Sequence, residues 1–296
     1  MKSGFVSIIG RPNSGKSTLL NRLVGEKVSI VTDKPQTTRH VVRGILTRPE
    51  GQITFLDTPG IHKPIHRMNE RMMKSVRDSM SDVDVILLIV DASAAFGRGD
   101  EFTLDLLKHV STKKFLLLNK IDRIQKRDLL PAMDRYSKLG SFEEVIPISA
   151  LNGEGVEDVV KEVFKYLSEG PMFYPADQIS DQQERSIASE MIREKLIILT
   201  EEELPYSTAV VIDKFEEGEK LHRIYASIYV ERDSQKAIVI GKAGQKLKEV
   251  GTEARKDLEA FFGRKIFLEL HVKVKKHWRD DEETLRSLGL GKSQSD

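Results

Sequence analysis

Apolar residues along the first 167 positions follow two rhythms. Short, nearly continuous apolar runs occupy residues 5–9, 41–47, 53–57, 85–91, 115–119 and 145–149. Between them, residues 68–81, 102–110, 128–139 and 156–167 repeat their apolar positions every three or four residues. The runs read as buried strands and the spaced segments as amphipathic helices. Strands apolar on both faces, alternating with helices, predict a mostly parallel sheet covered on both sides. Such sheets take ligands at the carboxyl ends of their strands. The rhythm breaks at residues 168–183, where Gly170, Pro171, Pro175 and several polar residues mark a linker. A new order follows: a helix over 184–199, strands over 207–215 and 221–232, a short helix over 235–240, a glycine turn, a helix to about residue 262 and a strand over 266–274. The expected division is an α/β domain over 1–168, a linker over 169–183, a smaller α+β domain over 184–286 and a flexible tail over 287–296.

Composition narrows the class without deciding it. Lysine plus arginine number 47 and aspartate plus glutamate 46, a net charge of +1, so global charge does not advertise nucleic acid. The chain has no cysteine, which excludes disulfides and cysteine-ligated zinc and fits a reducing compartment. Met1 runs almost directly into the first strand, so no leader is expected, and no apolar run approaches a membrane span. A cytoplasmic protein is expected.

Candidate chemistry begins between the first strand and first helix. Residues Gly10, Arg11, Pro12, Asn13, Ser14, Gly15, Lys16 and Ser17 fit G-x-x-x-x-G-K-[ST], the phosphate-cradling P-loop, with Thr18 following. Glycines let the backbone wrap an anion, and the helix N-terminus offers unpaired N–H groups to phosphate oxygens. Lys16 is placed to neutralise β- and γ-phosphates, and the Ser17 hydroxyl to ligate Mg²⁺.

Three further motifs follow in order, each at a strand end. Asp57-Thr-Pro-Gly60 supplies a carboxylate for a Mg²⁺-bound water and, at Gly60, an N–H for a γ-phosphate oxygen. Asn119-Lys120-Ile-Asp122 supplies a carboxylate suited to the paired donors N1–H and N2 of guanine; adenine lacks both, so Asp122 predicts GTP over ATP. Ser149-Ala150-Leu151 offers a backbone N–H to the guanine O6. Between P-loop and Asp57, Thr37 or Thr38 can complete the Mg²⁺ coordination only when a γ-phosphate is present, which is the logic of a switch. Lys16, Asp57, Gly60 and one of the two threonines, Thr37 or Thr38, are the expected catalytic group. Ile61 stands where Ras-type enzymes carry a water-orienting glutamine, so slow intrinsic hydrolysis is expected. His62 and His66 read as loop residues and not as a metal pair, since no carboxylate completes a ligand set.

In the second domain, Gly241-Lys242-Ala243-Gly244 joins two helices beside three strands, the arrangement KH domains use to clamp about four nucleotides. Ile240, Lys246 and Lys248 flank the turn as further RNA contacts, and Ile238, Val239 and Ile240 suit either the groove wall or the core. Residues 235–279 carry twelve basic and five acidic side chains, a local +7 hidden in the whole-chain total. Trp278 suits either base stacking or the core.

Residues 10–17, the switch segment KPQTTRH at 34–40, DTPGI at 57–61, HKP at 62–64 and NKID at 119–122 together resemble the Era family of bacterial ribosome-assembly GTPases. The resemblance continues through residues 170–181 and the GKAG-bearing domain, covering nearly the whole chain. It implies a Ras-like strand order, a C-terminal type II KH domain and a cycle between GTP and GDP with Mg²⁺. It also implies Thr38 as the metal-reaching threonine and Asn13 as the holder of a K⁺ ion against the phosphates. The RNA it implies is the 3′ end of small-subunit ribosomal RNA, with the small ribosomal subunit as partner. A monomer is expected, with peripheral contact at the cytoplasmic face of the inner membrane as a further site of action. A rival class is an RNA-binding assembly chaperone that holds GTP without turning it over.

Overall fold

The computed structural model describes residues 1–200 and 204–290. They fall into two compact units, residues 1–65 with 69–181, and residues 66–68 with 182 onward. In the first unit the elements run β1 (Lys2–Ile9), α1 (Lys16–Val24), β2 (Val42–Arg48), β3 (Gly51–Asp57), α2 (Arg67–Asp78, all but its first two residues), β4 (Val85–Asp91), α3 (Arg98–Leu107), β5 (Lys113–Asn119), α4 (Lys126–Ser137), β6 (Glu144–Pro147) and α5 (Val156–Tyr166). The sheet order is β2-β3-β1-β4-β5-β6. Only the β2–β3 pair is antiparallel.

Period-two alternation along β4 shows why its apolar run is unbroken. Val85, Leu87 and Ile89 join the core shared with α1 and α5, while Ile86, Leu88 and Val90 join the opposite core shared with α2, α3 and α4. Ile61 is buried in that second core. Helix α3 starts four residues before its expected position because the Asp100 carboxylate accepts the Gly97 N–H and closes its first turn.

The segment expected as a linker is bound to the first unit as far as Asp181. Buried Gln52 on β3 clamps it. The Gln52 Oε1 accepts the N–H groups of Phe173 and Tyr174, at 2.9 and 3.0 Å, and its Nε2 donates to the Tyr174 carbonyl at 3.0 Å and to the Thr47 hydroxyl at 3.1 Å. Phe173 packs on Phe5 with ring centroids 4.8 Å apart. On edge strand β2, the Ile45 N–H donates to the Ile179 carbonyl and Arg43 pairs with Asp181 at 2.6 Å. The proline and polar content read from the sequence marks an irregular segment, but buried partners hold it in place.

The second unit contains α6 (Glu184–Leu199), α7 (Leu204–Ser207), β7 (Ala209–Glu216), β8 (Leu221–Val230), α8 (Asp233–Ile240), α9 (Gln245–Phe262), β9 (Lys265–Val274) and α10 (Glu282–Ser287). Its sheet β7-β8-β9 is mixed: β7 lies antiparallel and β9 parallel to β8. Ala188, Ile192 and Leu196 of α6, with Val250, Ala254 and Leu258 of α9, form a core with the sheet. Val239 belongs to this core and Ile238 faces solvent, so neither apolar alternative holds for both. Trp278 is a core residue whose indole N–H donates to the Ser207 carbonyl at 2.9 Å. The flexible tail was expected from 287, yet Ser287 ends α10 and Leu290 is buried; residues 291–296 lie outside the described residues.

Candidate nucleotide site and RNA groove

Strand register assembles the first site. Ile8 lies opposite Asp57, Ile9 opposite Leu88, and Asp91 opposite Asn119, so the ends of β1, β3, β4 and β5 share one edge of the sheet. The P-loop follows β1 there. Gly15 sits at φ 104° at the start of α1, and a Cβ on it would collide with the Asn119 carboxamide. That requirement for glycine is steric as well as conformational. A cavity of about 430 Å³ opens over the loop, lined by residues that include Asn13, Gly15, Lys16, Ser17, Thr18, Thr38, Gly60 and Lys120. The volume is within the usual range for a small-molecule site.

Charge in this cavity is buried and tightly organised. The Lys16 ammonium donates to the carbonyls of Gly10 and Arg11 at 3.2 and 3.0 Å. Burial pushes its pKa down to about 8, against the attraction of Asp57. Burial likewise pushes Asp57 up, opposed by Lys16 and by three hydroxyl donors. Those donors meet on one oxygen: Asp57 Oδ2 accepts from Ser17 at 2.6 Å, Ser29 at 2.9 Å and Thr38 at 3.4 Å. The Ser17 and Thr38 hydroxyls are themselves 2.9 Å apart, and the buried Asp57 Oδ1 has no hydrogen-bond partner. Two neighbouring hydroxyl oxygens with a buried carboxylate behind them form an all-oxygen donor set, the chemistry Mg²⁺ selects. Mg²⁺ dehydrates reluctantly and shares its sphere with phosphates, so few protein ligands are needed. Among the described residues no cluster of three or more His, Cys, Asp or Glu side chains could hold a metal by itself.

The other end of the cavity suits a base. Asn119 is a strut: its Nδ2 donates to the Ser14 carbonyl at 2.8 Å and its Oδ1 accepts the Ala150 N–H at 2.9 Å. Lys120 donates to the Asn13 carbonyl at 2.8 Å and to Asp91 at 2.6 Å; burial pushes the Asp91 pKa up, but Lys120 together with the hydroxyl and N–H of Ser93 outweighs it and holds the pKa low. The Ser149 hydroxyl donates to Asp122 Oδ1 at 2.6 Å, fixing an otherwise exposed carboxylate. The Leu151 side chain is exposed, and its carbonyl is taken by Arg22, so Leu151 contributes backbone alone.

In the second unit the turn expected to touch RNA has the required shape. Gly241 and Gly244 adopt φ 72° and 77°, and Ala243 also has positive φ. From Gly244 a groove of about 510 Å³ runs between α9 (Leu247, Lys248, Gly251, Arg255) and β9 (Leu268, Leu270). Much of the local positive charge is already paired: Lys246 with Glu249, Lys256 with Glu253, Lys275 with Asp281 and Arg279 with Glu231. Lys242, Lys248 and Arg255 are exposed and, among the described residues, have no ion-pair partner, so they carry the field of the groove.

Residues 5–120 match a family described as 50S ribosome-binding GTPase, and residues 203–279 match the KH domain family. Over 294 residues the chain is 50% identical to GTPase Era of Staphylococcus haemolyticus, spanning 99% of this chain and 98% of that one. The chain belongs to the Era family of GTPases. A solved Era complex with MgGDPNP and nucleotides 1506–1542 of 16S ribosomal RNA is similar at TM-score 0.95 and 41% identity, covering 98% of this chain and 99% of that one. A point variant of Aquifex aeolicus Era bound to GDP and AlF4⁻ gives TM-score 0.94 and 41% identity, over 98% and 100%. The Era architecture, a Ras-like GTPase domain followed by a KH domain, accounts for both units.

Asn13, Gly15, Lys16, Ser17, Thr18, Thr38, Gly60 and Lys120 line the cavity, and Asp57 and Asn119 are tied to it by their hydrogen bonds to Ser17 and to the Ser14 carbonyl. Two participants had no motif to reveal them. Ser29 reaches Asp57, and Asn21 holds Ser29 through its backbone. A serine after an amphipathic helix carries no signal until the fold brings it to the metal side.

Proposed function

We propose that the first unit binds GTP and GDP with Mg²⁺ and hydrolyses GTP slowly, and that its nucleotide state sets how the KH unit grips the 3′ end of small-subunit ribosomal RNA during subunit assembly. The observation that carries this reading is the meeting of the Ser17 and Thr38 hydroxyls on one oxygen of buried Asp57. Ser17 belongs to the helix that follows the P-loop and Thr38 to the loop before β2. Nucleotide-dependent movement of Thr38 therefore changes the course of that loop. Ser17 and Thr38 would hold Mg²⁺, with Asp57 behind a bound water. The ion supplies charge neutralisation between the β- and γ-phosphates. Lys16 adds positive charge there, and the Gly60 N–H is available to the γ-phosphate.

No glutamine stands after Gly60; Ile61 is packed into the core and its N–H donates to the Gly10 carbonyl at 3.1 Å. Water positioning then falls to backbone, an ion or the RNA-bound partner, which supports a slow intrinsic rate. Potassium fits this need. Asn13 Nδ2 donates to the Asp33 carbonyl at 2.6 Å, which puts a carboxamide and a switch-loop carbonyl side by side over the phosphate cavity. The proposed domain limits are 1–181 for the GTPase unit and 182–286 for the KH unit. The family match to the GTPase domain covers residues 5–120 alone and bears on that domain, not on which RNA is bound.

We place the protein in the cytoplasm as a monomer. No described helix is long and apolar enough to cross a membrane, and vesicle flotation tests a peripheral contact. The deciding experiment is single-turnover GTP hydrolysis with and without an RNA of the small-subunit 3′ end, in K⁺ and in Na⁺ buffer. Faster turnover in K⁺, and different RNA affinity for GDP- and GTP-analogue-bound protein, are expected. Equal rates in the two salts remove the potassium reading, and equal RNA affinity removes the switch.

A further inference from the structure

Asn21 lies one turn after Ser17 on α1, on the same helix face. Its carboxamide closes three hydrogen bonds on the segment that opens the switch loop. Oδ1 accepts the N–H groups of Val28 and Ser29, at 3.0 and 2.9 Å, and Nδ2 donates to the Ser29 carbonyl at 2.7 Å. Ser29 is thereby fixed to the P-loop helix and buried, with its hydroxyl on Asp57 Oδ2 at 2.9 Å. The other two donors to that oxygen, Ser17 and Thr38, are the hydroxyls proposed to reach the metal. A carboxylate held by those two alone would lose its fixed reference when they reorient. Ser29 is not among the proposed metal-reaching hydroxyls, and its backbone is tied to α1 through Asn21.

We infer that Ser29, set by Asn21, is a positioning residue that keeps the Asp57 carboxylate in one orientation toward Mg²⁺ while Thr38 comes and goes. The inference rests on the proposed nucleotide site and adds the device that makes its metal side independent of the switch. Groups that orient metal-side ligands in this way are typically worth about 10- to 100-fold in metal affinity.

The test uses the full chain loaded with a fluorescent N-methylanthraniloyl-GDP, measuring nucleotide release against free Mg²⁺ and affinity in EDTA. For Ser29→Ala, the Mg²⁺ concentration that half-maximally slows release is expected to rise about tenfold, with EDTA affinity unchanged within about twofold. Ser29→Thr keeps the hydroxyl and restores most of the Mg²⁺ response. Asn21→Asp, the same shape without the bond to the Ser29 carbonyl, shifts the midpoint in the same direction. An unshifted midpoint in both Ser29→Ala and Asn21→Asp overturns the inference, as does a parallel loss of EDTA affinity, which marks a merely structural role. Failure of the unaltered protein to bind the GDP probe at any Mg²⁺ concentration overturns the nucleotide reading itself.

Discussion

The two glycines of the KH turn are not equivalent, and the difference allows a clean test of the RNA groove. Both have left-handed backbones, φ 72° at Gly241 and 77° at Gly244. A Cβ on Gly241 would lie 2.6 Å from Lys246 Cβ and 3.0 Å from its backbone nitrogen, while one on Gly244 would meet nothing within 4 Å. Gly244→Asp therefore costs only the left-handed backbone preference, about 1 kcal/mol, and aspartate tolerates that region better than most residues. Gly241→Asp adds a collision worth about 1–3 kcal/mol more. At the RNA, a carboxylate about 5 Å from a phosphate is repelled by about 0.8 kcal/mol at the dielectric of water and about 3.3 kcal/mol at an effective value of about 20. The affinity loss from charge is then about 4-fold to about 300-fold at room temperature. Fluorescence anisotropy with a labelled single-stranded RNA measures it, and circular dichroism gives the melting temperature. Gly244→Ala, with a somewhat larger backbone cost and no charge, is expected to keep most of the affinity. Gly244→Asp that binds RNA within about twofold of the unaltered protein would refute the placement of phosphates at this turn.

Two further outcomes follow from buried groups in the first unit. Burial lowers Lys16 from 10.5 to about 8, so between those pH values the unfolded chain holds a proton that the folded, nucleotide-free site has released. Stability from this group is flat below that window and rises with pH across it. Denaturant unfolding at several pH values should show the rise, and Lys16→Met should abolish it; parallel curves would refute the shift. Gln52→Leu leaves the N–H groups of Phe173 and Tyr174 without their buried acceptor, at about 1–3 kcal/mol for each group not rescued by water. Faster hydrogen exchange over residues 170–176 is expected, and unchanged protection there would show that Gln52 is not the clamp.

The sheet and both sites were largely readable because their signals are local. The unbroken apolar run of β4 marks a strand covered on both faces, and the P-loop, Asp57, Asn119 and Asp122 follow strand ends in fixed order. Asp122 alone carried the choice of guanine. What stayed hidden depends on contacts distant in sequence. Gln52 is one polar residue inside a strand, and nothing near it announces partners more than 120 residues away. Ser29 and Asn21 act through a neighbour's geometry. Ile238 and Val239 are adjacent and equally apolar, yet only the helical phase of α8 decides that one is solvated and the other core. The basic patch was visible as a count, but pairing of Lys246, Lys256 and Lys275 leaves only part of it for a ligand.

The strap held by Gln52 also determines where the chain can be cut. Ending a recombinant GTPase half at residue 168, the boundary its sequence suggests, would strip the cover from Phe5 and uncap the outer strand of the sheet, where the Ile45 N–H now meets the Ile179 carbonyl. An uncovered strand edge of this kind templates pairing between molecules. A fragment carried through Asp181 keeps its edge closed and should stay dispersed, whereas the shorter one should self-associate during purification.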